Sequence, residues 1–74
     1  MKMYVWDDVL ADWTSGIAVA VAVAEDEANA VAVLLSVAQK QDGEYTAVRL
    51  AGDLRQSRLT VHELPYAAYC HGGA

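Results

Sequence analysis

Ile17-Ala18-Val19-Ala20-Val21-Ala22-Val23-Ala24 alternates branched and small side chains at strict period two. Successive residues of a strand point to opposite faces. The stretch therefore predicts a strand with Ile17, Val19, Val21 and Val23 on one face and only alanine on the other. Ahead of it, Met3 to Leu10 (Met-Tyr-Val-Trp-Asp-Asp-Val-Leu) is rich in β-formers and reads as a second strand. Between them, Ala11-Asp12-Trp13-Thr14-Ser15-Gly16 is turn chemistry closed by glycine. The expectation is an antiparallel hairpin.

Working outward, Glu25 to about Gln41 predicts a helix. Asp26 is a candidate N-cap, and acids in the first turn suit the helix dipole. Ala28, Val31, Leu35 and Ala38 recur at helical spacing, widened by Leu34 and Val37. Asp42-Gly43 stops the helix, and Lys40 suits its last turn. Glu44 to Ala51 is read as a strand, ended by Gly52-Asp53, with Leu54 to Arg58 unassigned. Leu59 to Leu64 and Tyr66 to His71 are short strand candidates on either side of Pro65. The expected fold is α+β: one domain over residues 1–74, with a single helix packed on an antiparallel sheet, ββα followed by two or three strands.

The two hairpin strands also predict a surface. Only the Ile/Val face of the second strand has bulk, so it is expected to face the helix. On the first strand Met3, Val5 and Val9 then join the core. Tyr4, Trp6 and Asp8 turn outward, and the rings lie over the alanines. Exposed Tyr and Trp beside acids suggest a protein-binding face; the competing reading is that a later strand or a homodimer partner covers it.

Composition sets the outer limits. The chain has 74 residues, 55% of them hydrophobic, but no Phe, with fourteen Ala and ten Val supplying most of the apolar share. Such a core is built from small side chains in a chain whose stability margin is thin, and a deep catalytic cleft does not fit it. The net charge is −5, and all of the excess lies in residues 1–27. That surface repels phosphate backbones and anionic membranes, which disfavours direct nucleic-acid binding and favours a basic protein partner. The longest uninterrupted apolar run, Ile17 to Ala24, is far short of the roughly 20 residues of a membrane span, and the acids ahead of it do not suit a secretory signal. The expectation is a soluble cytoplasmic protein.

The acids form two groups. Asp7, Asp8 and Asp12, with Trp13 among them, sit near the hairpin loop. Glu25, Asp26 and Glu27 sit where the second strand hands over to the helix. A hairpin of this length holds the groups roughly 25 Å apart, a reach suited to a basic channel gripped at two points. The plainer readings are a helix start for Glu25 to Glu27 and turn or capping roles for Asp7 and Asp12.

Catalytic and metal chemistry are poorly represented. Cys70, His71 and His62 are three candidates where structural zinc commonly has four ligands. Adjacent Cys70 and His71 would point to opposite strand faces, as would Asp7 and Asp8, so neither is a natural catalytic pair. Gly72-Gly73 precedes no helix and is not a phosphate loop. No catalytic residue, cofactor or metal is expected, and the enzyme class is the weakest.

Tyr4-Val5-Trp6-Asp7-Asp8-Val9-Leu10, Asp12-Trp13-Thr14-x-Gly16, Ala18-Val19-Ala20 and the acids leading into an Ala-rich helix together resemble a group of small phage and prophage proteins. Pro65, the aromatic-alanine stretch from Tyr66 to Tyr69 and Gly72-Gly73 fit as well. The similarity covers residues 4–28 and 65–73. Among short acidic phage proteins, the class it is most similar to is the anti-CRISPR proteins. The resemblance implies a monomer or homodimer in the bacterial host cytoplasm. It would bind a type I surveillance complex (Cascade) and act as a DNA mimic in channels meant for nucleic acid. The implied partner-binding set is Tyr4, Trp6, Asp7, Asp8, Asp12, Trp13, Glu25, Asp26 and Glu27. The alternative is a small phage structural or assembly protein that forms homo-oligomers through its sheet face, namely the alanines.

Overall fold

The computed structural model describes residues 1–12 and 16–69. Five elements follow in order: β1 (Lys2–Asp12), β2 (Gly16–Ala24), α1 (Glu27–Asp42), α2 (Glu44–Leu54) and β3 (Leu59–Glu63). The strands form one antiparallel sheet in the order β2-β1-β3. Both helices cover the same face, α1 lying over β2 and α2 over β1. The fold is α+β, with two helices on three strands.

The hairpin and α1 form as the residue pattern predicts. Asp26, at φ −146° and ψ 172°, caps α1, and its carboxylate accepts the Asn29 N–H at 2.9 Å. The C-terminal half of the chain departs from the expectation. Glu44 to Ala51 lies in helix α2, and among the described residues a single strand, β3, follows it. Residues 66–69 are not in a strand, and Cys70 and His71 lie outside the described residues. Tyr45, Thr46 and Val48 suggest a strand by propensity, yet Ala47, Leu50 and Leu54 recur at helical spacing. Leu50 and Leu54 are buried. Packing of that stripe overrides the weak local preference.

Gly43 alone separates the two helices. Its N–H donates to the Gln39 carbonyl at 2.9 Å, closing α1, and its carbonyl accepts the Ala47 N–H at 3.2 Å, opening α2. Its φ of 90° with ψ of 175° is a region essentially reserved for glycine.

The faces of the sheet are inverted relative to the expectation. Tyr4 and Trp6 are 5% and 1% exposed, and Ala20, Ala22 and Ala24 are buried beside them. Val19, Val21 and Val23 are the exposed row, 46–59% accessible. The pairing of rings with alanines is as the sequence suggests: Trp6 lies opposite Ala20 and Tyr4 opposite Ala22. Their direction is reversed. Each ring removes about 150–250 Å² from water, more than Met3 or Val5 can. Rings on the central strand leave room for only small neighbours under α1, which approaches through fully buried Ala30. Met3 and Val5 are therefore half-buried on the open face.

Val9 is buried as expected, but on the Trp6 face. Trp6 and Val9 sit opposite Ala20 and Ala18, so β1 carries one extra residue in that interval. Asp8, at φ 59°, absorbs it. A second shift follows before Asp12 meets Gly16, with Leu10 at φ 49°. The Leu10 N–H donates to the Asp53 carboxylate at 2.8 Å, which ties this irregular end of β1 to the end of α2. The Asp53 carbonyl also accepts from the Gln56 and Ser57 N–H groups and the Ser57 hydroxyl.

Five substitutions check this architecture by chemical denaturation. Ala22→Val should cost about 1–3 kcal/mol by overpacking the helix-facing layer, whereas Val21→Thr on the open face should stay within about 0.5 kcal/mol; equal effects would mean the faces are assigned wrongly. Gly43→Ala should destabilise by about 1–3 kcal/mol through backbone strain alone, because an added Cβ meets nothing within 4 Å. Gly52→Ala, inside α2 and equally unobstructed, should stabilise by about 0.5–1 kcal/mol. Asp53→Ala should cost about 1.5–3 kcal/mol, the range for a hydrogen bond to a charged group.

Candidate functional site

The acidic groups are spread along the β1–β2 hairpin: Glu25 to Glu27 follow one end, Asp12 marks the other, and Asp7 and Asp8 lie between the Trp6–Ala20 and Val9–Ala18 pairs, nearer the middle than expected. Lys2 pairs with Ala24 at one end and Asp12 with Gly16 at the other. The span from Ala24 to Gly16 is roughly 25 Å at strand rise. Glu25, Asp26 and Glu27 continue directly from the first end and are all exposed. Asp26 is committed to the cap, its second oxygen accepting from the Asn29 side chain at 3.3 Å. Glu25 lies 3.9 Å from the N-terminal ammonium, and Glu27 sits in the first turn of α1, where a negative charge is favoured. The helix-start role is thus real for Asp26, while Glu25 and Glu27 display their charge to solvent.

Along β1, Asp8 is exposed on the bulge between the Trp6–Ala20 and Val9–Ala18 pairs. Asp7 is half-buried, and its N–H donates to the Arg58 carbonyl at 3.0 Å, continuing the β1–β3 ladder. Asp12 is placed opposite Gly16 by its backbone; its side chain and all of Trp13 lie outside the described part. Tyr4 and Trp6 do not belong to this surface. Their rings stack with centroids 6.1 Å apart inside the core, so the expected aromatic anchors on the outer sheet are corrected to core residues. An assembly surface made of the alanines is corrected likewise, because the helices close that face.

What the sequence reading missed is the valine face and the segment that crosses it. After β3 the chain turns at Pro65, and Tyr66 stacks on His62 with ring centroids 3.7 Å apart. Tyr66, Ala68 and Tyr69 line a groove of about 550 Å³ with Met3, Val5 and Val19. Its polar members are Asp7 and His62. His62 pairs with Met3, four residues along β1 from Asp7, so the two stand roughly 13 Å apart and cannot share a proton. Among the described residues, no three His, Cys, Asp or Glu side chains gather where they could hold a metal ion. No helix among the described residues is long and apolar enough to cross a membrane.

The arrangement displays carboxylates part-way along the hairpin and beyond one of its ends. The alternation of Val19, Val21 and Val23 was the available signal for the open face, once the rings of Tyr4 and Trp6 are given first claim on the core. Comparison with protein families, curated proteins and solved structures gives no match for this chain.

Proposed function

We propose that this chain is a stoichiometric binding protein of the anti-CRISPR class. In this reading it seats its acidic hairpin on a basic groove of a type I surveillance complex and keeps target DNA out. The observation that carries the reading is the exposed charge of Asp8 part-way along the hairpin and of Glu25 and Glu27 beyond one end of it. The strands hold these charges at a fixed separation, so little order has to be gained on docking. Negative charge on a rigid frame steers association with a basic groove and makes it salt-sensitive. The motif resemblance over residues 4–28 and 65–73 supplies the class, and the bacterial host cytoplasm as the place of action.

The test is co-elution of the purified chain with type I Cascade on size exclusion, followed by a target-DNA gel shift. The expected result is a stable complex that no longer retains DNA. Combining Asp8→Asn, Glu25→Lys and Glu27→Lys brings the net charge from −5 to zero, since the three changes add one, two and two positive units. Asp26 is left in place to keep its cap. That variant should fold and bind at least about tenfold more weakly, a loss of 1.4 kcal/mol or more. No complex with any type I system would overturn the anti-CRISPR reading. Undiminished binding by the folded neutral variant would overturn the charge mechanism.

A further inference from the structure

We infer that the outer edge of β2, together with the adjoining flank of α1, is an interface for a second copy of this chain. This goes beyond the proposed function and stands independently of it. Among the described residues β2 pairs only with β1. Its other edge presents a nine-residue row of backbone donors and acceptors, about 30 Å long at strand rise. Natural edge strands are usually blunted by a lysine, a proline or a bulge. β2 has none of these: no charge or proline lies between Gly16 and Ala24, and the extra residues of both register shifts are on β1.

The helix above this edge has the same character. Because α2 lies over the central strand, the side of α1 turned away from α2 overhangs the β2 edge. Val33 and Val37, one turn apart, are 53% and 43% exposed, and Val37 lines a cavity shared with Val19 and Val21. No charged residue occurs in α1 between Glu27 and Lys40. An exposed helix flank ordinarily carries charged or polar side chains; this one continues the uncharged strip begun by the strand.

The strip fits itself. In an antiparallel pair, directly opposite residues share a face. A two-fold axis normal to the sheet keeps each face on its own side, so valine meets valine and alanine meets alanine. An Ala/Val alternation is complementary to its own reverse, and the two edges match in length because they are the same strand. The same axis sets α1 beside its copy, with Val33 and Val37 at the contact. A strip about 30 Å long and two layers, roughly 20 Å, deep buries on the order of 600 Å² per copy, the lower end of what a specific dimer needs. Glu25 and Glu27 follow the end of β2, and Asp8 is one strand in from its free edge, on β1. Each copy carries −5, so the pair repels at long range while touching through uncharged groups, and salt strengthens the dimer.

Sedimentation velocity on the full chain, from low micromolar to near-millimolar concentration, tests the inference. The expected result is a monomer–dimer equilibrium that shifts toward dimer with concentration and with added salt. Val21→Lys and Val33→Lys each place a charge on an exposed position of the strip and should weaken the dimer at least about tenfold. Val48→Lys, on the exposed side of α2 away from the strip, should change it by less than about twofold. Circular dichroism and melting at low concentration establish that each variant is folded. A wild-type chain that stays monomeric throughout overturns the inference. So does association that salt weakens, or that Val48→Lys impairs as much as Val21→Lys does.

Discussion

Two aromatic rings on the central strand organise this small domain. Tyr4 and Trp6 sit two residues apart on one face of β1 and fill most of the space beneath the helices. Once they point inward, much else follows from geometry. The neighbouring strand must offer small side chains, which Ala20, Ala22 and Ala24 do. The helix above can come close only through a small residue, which is Ala30. The valines opposite the alanines must then face outward, and the bulge at Asp8 returns Val9 to the layer that the rings define. A core with no Phe and few other large side chains leaves these rings without a substitute.

Several acids combine local work with display. Asp26 completes the start of α1, and Asp53 holds the irregular end of β1 against the end of α2. Asp8 occupies a left-handed position that Asp tolerates better than most residues. Glu25 and Glu27 have lighter duties, in a long ion pair and a helix dipole. The charge displayed to solvent and the charge that shapes the chain thus come in part from the same short stretches. Removing a carboxylate for one purpose disturbs the other to a degree that differs from residue to residue.

The hairpin, the cap at Asp26, the helix stop at Asp42-Gly43 and the short strand from Leu59 were all legible, because each rests on local chemistry: period two, an N-cap acid, a glycine. The association of Tyr4 and Trp6 with the alanine face was legible too, since parity alone gives it. Which face meets the helices was not. That choice compares the bulk of two rings with a row of valines, and the comparison must be made across strands rather than along one. Helix α2 was hidden for a related reason. Its apolar stripe is only half-buried Ala47 with buried Leu50 and Leu54, thin against the β-forming Tyr45, Thr46 and Val48, and it becomes decisive only when a sheet and a first helix are there to receive it. From sequence, Glu25 to Glu27 and Asp12 could be placed at opposite ends of the hairpin, but Asp7 and Asp8 lie nearer its middle because the bulges lengthen β1 toward the loop, and the division between capping and displayed carboxylates needed the hydrogen bonds.

The alternation in β2 has one more consequence, for how the sheet finds its alignment. Sliding β2 along β1 by two residues sets alanine where alanine was and valine where valine was, so the strand's own side chains scarcely discriminate between alignments. A one-residue slip would exchange the faces and is strongly penalised; a two-residue slip is nearly degenerate. The information that selects one register must therefore be stored in β1 and in the ends: the rings, the two left-handed residues at Asp8 and Leu10, and the Asp53 carboxylate that holds Leu10.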